Sequence, residues 1–218
     1  MERVDLVAVG VAAVLVVVPH AWAVTRHVAT LVHEAGHAVV AVATGRRLNG
    51  IRLHSDTSGL TVSTGRRSGP GMIATAAAGY PAPSLVGLAT IALVVHDRMS
   101  WALALGLVVL TAMVLFIRNW FGLVVVLVAG GLVALITYRA SGDAQQLSLL
   151  VFGWFLLFAG PRTSLDLWAH RRRVSSRSSD ADLLARLTHV PAVIWNVVFV
   201  AVSLAAIVVA ARLTGLLP

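Results

Sequence analysis

The sequence predicts an all-α polytopic membrane protein with about seven transmembrane helices and a small interfacial β-hairpin after the second helix. Three observations carry this. Hydrophobic residues make up 58% of the 218-residue chain and charged residues only 12%, with a mean hydropathy of +0.88. A soluble domain carries about 25% charged residues. The apolar residues also fall in runs of bilayer-spanning length, about 20 residues of helix. One segment, 45–69, alternates apolar and polar residues instead. The chain, 1–218, therefore reads as a single membrane-embedded domain with no room for a large soluble module.

In chain order, spans are expected at 4–24, 28–44, 71–95, 100–117, 120–138, 145–160 and 191–213. The first contains Ala21-Trp22-Ala23, which resembles a signal-peptide cleavage site. Its start is poorly charged, with Arg3 against Glu2 and Asp5, so it reads as a retained helix. In 45–69, Gly50-Ile51-Arg52-Leu53-His54 and Gly59-Leu60-Thr61-Val62-Ser63-Thr64 flank a turn-forming stretch, Ser55-Asp56-Thr57-Ser58. That pattern predicts a hairpin at the cytoplasmic interface. It reads either as a connecting loop with strand character or as an edge that pairs with an unwound substrate peptide. Segment 161–190 is expected to be a cytoplasmic basic loop with a short helix, capped by Ser178 or Ser179 and ending near Pro191.

The net charge is +8, and every basic residue is Arg. The arginines cluster between apolar runs. The lipid bilayer's anionic headgroups, and no nucleic acid, are therefore the expected partners of this charge. With the spans above, the N-terminal side holds Arg3, Arg46, Arg47, Arg52, Arg66, Arg67, Arg118, Arg162, Arg171, Arg172, Arg173, Arg177 and Arg186. The other side holds only Arg26, Arg98, Arg139 and Arg212. By the positive-inside rule the N-terminus is cytoplasmic and the C-terminus is outside. There is no Cys, so any metal must be held by His, Asp or Glu.

The second span contains His33-Glu34-Ala35-Gly36-His37, an H-E-x-x-H motif. On a helix, residues four apart share a face, so both imidazoles can address one metal ion. Glu34 then stands beside a metal-bound water as a general base. The only other Glu is Glu2. An ionisable residue in a span costs roughly 3 kcal/mol or more and marks a functional site by default. The competing account is a polar cluster gluing helices together. Ala35, Gly36, Ala38, Ala41 and Ala43 do favour close packing, but packing needs no His-Glu-His triplet at metal spacing. A catalytic zinc takes three protein ligands. On residues alone, His20, His27, His54, Asp97, Asp143, Asp166, Asp180 and Asp182 all remain open as the third. Asp180 and Asp182 also read as acids favoured at a helix N-terminus.

This motif resembles the site-2 protease family of intramembrane zinc metallopeptidases, in a small, mostly bacterial branch without an inserted peptide-binding domain. The resemblance extends through Gly45-Arg46-Arg47, Gly50-Ile51-Arg52-Leu53, Ser58-Gly59-Leu60-Thr61 and Ala76-Ala77-Ala78-Gly79-Tyr80-Pro81-Ala82-Pro83 to Ser179-Asp180-Ala181 and Trp195. It implies a Zn2+ cofactor held by His33, His37 and Asp180, with Asp182 as second choice for the third ligand and Glu34 as the catalytic base. It implies a multi-pass protein of a bacterial cell membrane that cuts a membrane-anchored protein in or near its transmembrane helix, with a membrane regulator or a homo-oligomer as further partners. The usual Asp-Gly or Asn-Pro-Asp-Gly form around the third ligand is missing here. The Gly79–Pro83 break reads as a kinked helix. Asn196 reads as a helix–helix hydrogen bonder ahead of a substrate or oxyanion donor. Two other functions are weighed: an inactive relative serving as a chaperone or assembly subunit, and a transporter with a metal-binding step. The intact His33, Glu34 and His37 disfavour the first, and the lack of an internal repeat disfavours the second.

Overall fold

Pro19 lacks an N–H, and its ring pushes the preceding residue out of helical backbone. Val18 is accordingly extended, with φ −72° and ψ 119°. The computed structural model describes residues 2–173 and 179–218, with the backbone alone at 2, 3 and 170–173. It opens with α1 (Glu2–Val17) and α2 (Pro19–Ala43), bent by 98° to one another. The first break therefore falls at residue 18 rather than the expected 25–27. Arg26 lies inside α2, not in a loop, and His20 opens α2 rather than ending the first span.

The hairpin follows. Strands β1 (Arg47–Leu53) and β2 (Gly59–Thr64) pair antiparallel, with Ile51 opposite Thr61 and Leu53 opposite Gly59. His54 N donates to Ser58 O at 2.8 Å to close the turn. Asp56 Oδ1 accepts from the Ser58 N–H at 2.9 Å and from its hydroxyl at 2.7 Å. Alternation sends Ile51 and Leu53 inward, where both are buried, and leaves Arg52, Leu60 and Val62 exposed on the outer face.

The third expected span is two helices, α3 (Pro70–Ala78) and α4 (Ala82–Val95), bent by 70°. The anticipated kink at Gly79-Tyr80-Pro81 is thus a complete break. Helices α5 (Met99–Phe116) and α6 (Trp120–Arg139) fall where expected. They are apolar on all sides and mostly exposed, as suits helices that face lipid.

Helix α7 (Gly142–Arg173) corrects the expected stop at residue 160, because it runs straight through Pro161. Proline leaves the carbonyl four residues back without its helical donor. Here that carbonyl is Leu157 O, and the Ser84 hydroxyl of α4 donates to it at 3.4 Å. The expected 161–190 loop is therefore helical up to residue 173. Ser178 and Arg177 lie outside the described residues. Helices α8 (Asp180–Thr188) and α9 (Ala192–Leu213) complete the chain. Ser179 caps α8, as one of the two expected candidates.

The main core joins α1, α4, α7 and α9 through Ala8, Ala12, Ile91, Leu156, Ala159 and Ala206. The alanines among them let the helices approach closely. A smaller cluster of Ala76, Ala181, Leu184, Ala192 and Phe199 seats α8 against α3 and α9. Among the described residues, four helices are long and apolar enough to cross a membrane. Counting each bent pair as one span brings this to at most six, not the expected seven.

Candidate metal centre

Helix α2 carries His33 and His37 one turn apart, and both rings turn toward the break between α3 and α4. Their Nε2 atoms lie 3.0 Å apart. Asp180, the first residue of α8, brings its Oδ2 to 3.2 Å from His33 Nε2 and 3.1 Å from His37 Nε2. Among the described residues, these three form the group whose ligand atoms could hold a metal ion.

A backbone contact fixes the chemistry of this triangle. His37 Nδ1 lies 2.7 Å from Thr75 O. A carbonyl only accepts, so Nδ1 carries the proton and donates it. In the neutral ring, His37 Nε2 then turns a lone pair toward His33 and the Asp180 carboxylate. Three electron-pair donors facing one another fit a cation between them. Their separations are close to the roughly 3.3 Å implied by zinc bonds of about 2.0–2.1 Å in a tetrahedron. The Thr75 carbonyl matches the outer-shell partner that orients metal-binding imidazoles. Burial pushes the Asp180 carboxyl up. When the two imidazoles carry protons on Nε2, their hydrogen bonds and charge outweigh it and hold the carboxyl below the usual carboxylate range. A cation that displaced those protons would meet the same anion.

Space at the site depends on Gly79. A Cβ there would lie 2.6 Å from His33 Nε2 and press still closer on His37 Nε2. Gly79→Ala should therefore push a methyl group against both ring nitrogens. The expected result is at least about a 10-fold loss of zinc affinity, comparable to or larger than the loss of an outer-shell partner, measured by competition with a zinc-binding dye. The next residue, Tyr80, meets His33 edge-on at 4.7 Å and stacks on Phe199 of α9 at 5.2 Å. Helix α9 thus braces His33 through two aromatic rings.

Glu34 is buried and approached from the hairpin. The Thr61 hydroxyl donates to Glu34 Oε2 at 2.6 Å. Gly59 packs so closely on the same carboxylate that any Cβ would overlap it. The inner face of β2 therefore forms a lid over this acid.

The other sequence candidates lie elsewhere. Asp182 is held by Ser179, whose N–H and hydroxyl donate to Asp182 Oδ2 at 3.2 and 2.6 Å, while Asp182 N donates back to Ser179 Oγ. That capping box explains why Asp182 serves the helix and Asp180 reaches the imidazoles. His27 packs edge-on against Phe121. His54 Nδ1 lies 3.2 Å from the Ser58 hydroxyl. Asp166 accepts from Trp22 and Arg162. His20 sits in the first turn of α2, Asp143 in that of α7, and Asp97 in the turn after α4. Asn196 is buried on α9, and its Oδ1 has no hydrogen-bond partner among the described residues. Sequence reasoning did not single out Thr61 or Thr75. It saw the Gly79-Tyr80 break but took it only as a kink.

A family model described as Peptidase M50B-like matches residues 6–210. No curated protein and no solved structure matches the chain. The matched span takes in α2, the α3–α4 break and α8, which meet at the His33-His37-Asp180 triangle, and the hairpin, which covers Glu34. The chain belongs to the Peptidase M50B-like family, in keeping with its resemblance to the site-2 proteases.

Proposed function

We propose that the protein is an intramembrane zinc metalloprotease that hydrolyses a peptide bond in or near the transmembrane helix of a membrane-anchored protein. The observation that carries this reading is the convergence of His33, His37 and Asp180, with His37 held at Nδ1 by the Thr75 carbonyl so that Nε2 faces the triangle. These three residues would hold the ion. When bound, zinc supplies Lewis acidity that brings the pKa of a water toward about 7 and polarises the scissile carbonyl. Glu34 takes the proton from the attacking water and passes it to the leaving amine. Thr61 holds one oxygen of Glu34, which fixes the carboxylate and leaves the other oxygen for the proton.

Helical substrate must be extended before it is cut. In the two-stranded sheet, β2 has β1 on one side only. His54 bonds Ser58, so the alternation of the ladder directs Leu60 and Val62 toward β1. The backbone groups of Gly59, Thr61 and Ser63 then face the open edge, where an unwound segment would pair. Gly59 and Thr61 are also the residues that touch Glu34, so strand pairing delivers the peptide beside the base.

The protein works in the cell membrane of a bacterium. With each bent pair as one span and the arginines of the hairpin, Arg118 and Arg186 toward the cytoplasm, both termini lie on the opposite side, so the N-terminus is outside and not cytoplasmic as seven spans imply. The test is elemental analysis of the detergent-purified chain alongside cleavage of a single-span reporter. About one zinc per chain is expected, with cleavage lost on chelation and restored by added zinc. Protein purified without chelator that is metal-free and inert would sink this reading.

A further inference from the structure

Helix α6 is preceded by a residue type suited to capping it, yet Asn119 does not cap it. An Asn at this position ordinarily accepts from the N–H groups of the first turn. Asn119 has the extended backbone of an N-cap, φ −145° and ψ 155°, but its side chain makes no capping bond. Its amide faces β1 instead. Nδ2 donates to Leu53 O at 2.5 Å, and Oδ1 accepts from Leu53 N at 3.2 Å. That two-way exchange copies what a neighbouring strand would offer. The preceding residues extend the copy: Arg118 N donates to Ile51 O at 2.9 Å, and Ile117 bridges Ile51 in the parallel sense. Gly122 leaves room for this arrangement, since a Cβ there would lie 2.8 Å from Asn119 Oδ1.

The clamp leads to the base in two steps. Leu53 is opposite Gly59, and Ile51 is opposite Thr61. Gly59 packs on the Glu34 carboxylate, and Thr61 hydrogen-bonds to it. Asn119 touches none of His33, His37 and Asp180, and it lies between two helices that bury little of their own surface.

We propose that Asn119 is a positioning residue, which ties α5 and α6 to β1 and so seats Gly59 and Thr61 on Glu34. Its effect on turnover rests on the metalloprotease reading, but the clamp itself does not. Helix α6 gives up its own cap, and the hairpin gains a third rung on its outer edge.

The full chain has no Cys, so a single introduced thiol reports without background. Leu53→Cys places it at a buried, inward-facing position. With Asn119 intact, this thiol should resist a water-soluble maleimide. With Asn119→Ser it should label at least about 10-fold faster, because the strand opens locally, while zinc content stays unchanged. Serine can still cap α6, so a role confined to that helix predicts no change. Asn119→Ala is the second variant and should behave alike. In turnover, Asn119→Ser should lower kcat about tenfold in the wild-type background. It should do so by clearly less, about threefold, beside Thr61→Val, since part of the effect travels through Thr61 and part through Gly59. A thiol that stays protected in both variants, or equal losses of turnover in the two backgrounds, overturns the proposal. A wild type that cleaves nothing sinks the protease reading, and the labelling result then decides the clamp by itself.

Discussion

Replacing Glu34 with Gln is expected to lower peptide hydrolysis by about a thousandfold or more while zinc stays bound. A positioned general base contributes about 10²–10⁴-fold, and the proposed mechanism gives Glu34 both proton transfers. Gln has the same shape, and its amide oxygen still accepts the Thr61 hydroxyl that now engages Oε2. The buried pocket under Gly59 is therefore preserved, and only basicity is lost. Glu34 is not one of the three converging ligand residues, so metal content should not change. Single-turnover cleavage of the reporter, beside elemental analysis of the same preparation, makes the check. Activity within tenfold of wild type would remove Glu34 as the base.

Asp180→Ala and Asp182→Ala should separate completely, although the two residues are neighbours in one helical turn. Asp180 supplies the oxygen that faces both imidazoles. Its loss should weaken zinc binding by more than about 100-fold, since even outer-shell changes cost about 10–100-fold, and cleavage should disappear with the metal. Asp182 instead completes the cap with Ser179. Its loss should cost about 1 kcal/mol of stability, seen as a lower melting temperature with zinc retained. Dialysis against a zinc buffer followed by elemental analysis measures the first, and a thermal melt measures the second. Zinc retained by Asp180→Ala and lost by Asp182→Ala would reverse the two roles.

Local period made part of this molecule legible. The strands of 45–69 alternate with period two, and α5, α6 and α9 are unbroken apolar runs with clear ends, so each lies where the sequence put it. His33 and His37 share a face because they are one turn apart, which is also a local fact. The errors came where a distant residue decided a local outcome. Gly160-Pro161 looked like the end of a helix, but Ser84, 73 residues away from Leu157, takes up the carbonyl that the proline orphans. Pro19 had the opposite outcome: the Thr25 hydroxyl takes up the Leu15 carbonyl that it orphans, at 2.9 Å, but across a 98° bend, so the break came earlier than the apolar pattern suggested. At the site, eight acids and imidazoles stood open on residues alone, and only the family resemblance favoured Asp180. Thr75 was unreadable, because its contribution is a backbone carbonyl that any residue type could supply.

His37 and Asp180 stand 143 residues apart in sequence. An ion shared between them would close a ring through most of the protein. In solution, a cross-link around a loop of about 100 residues removes chain entropy worth about 4.7 kcal/mol, and a bilayer already restrains part of that freedom. Between the two ends lie the hairpin and five helices, which need not hold the site closed by their own packing. The ion would then act as a rivet as well as a reagent, fastening α8 to α2. A cell that withheld zinc would thereby leave the protein looser as well as idle, with α8 the first part free to peel away.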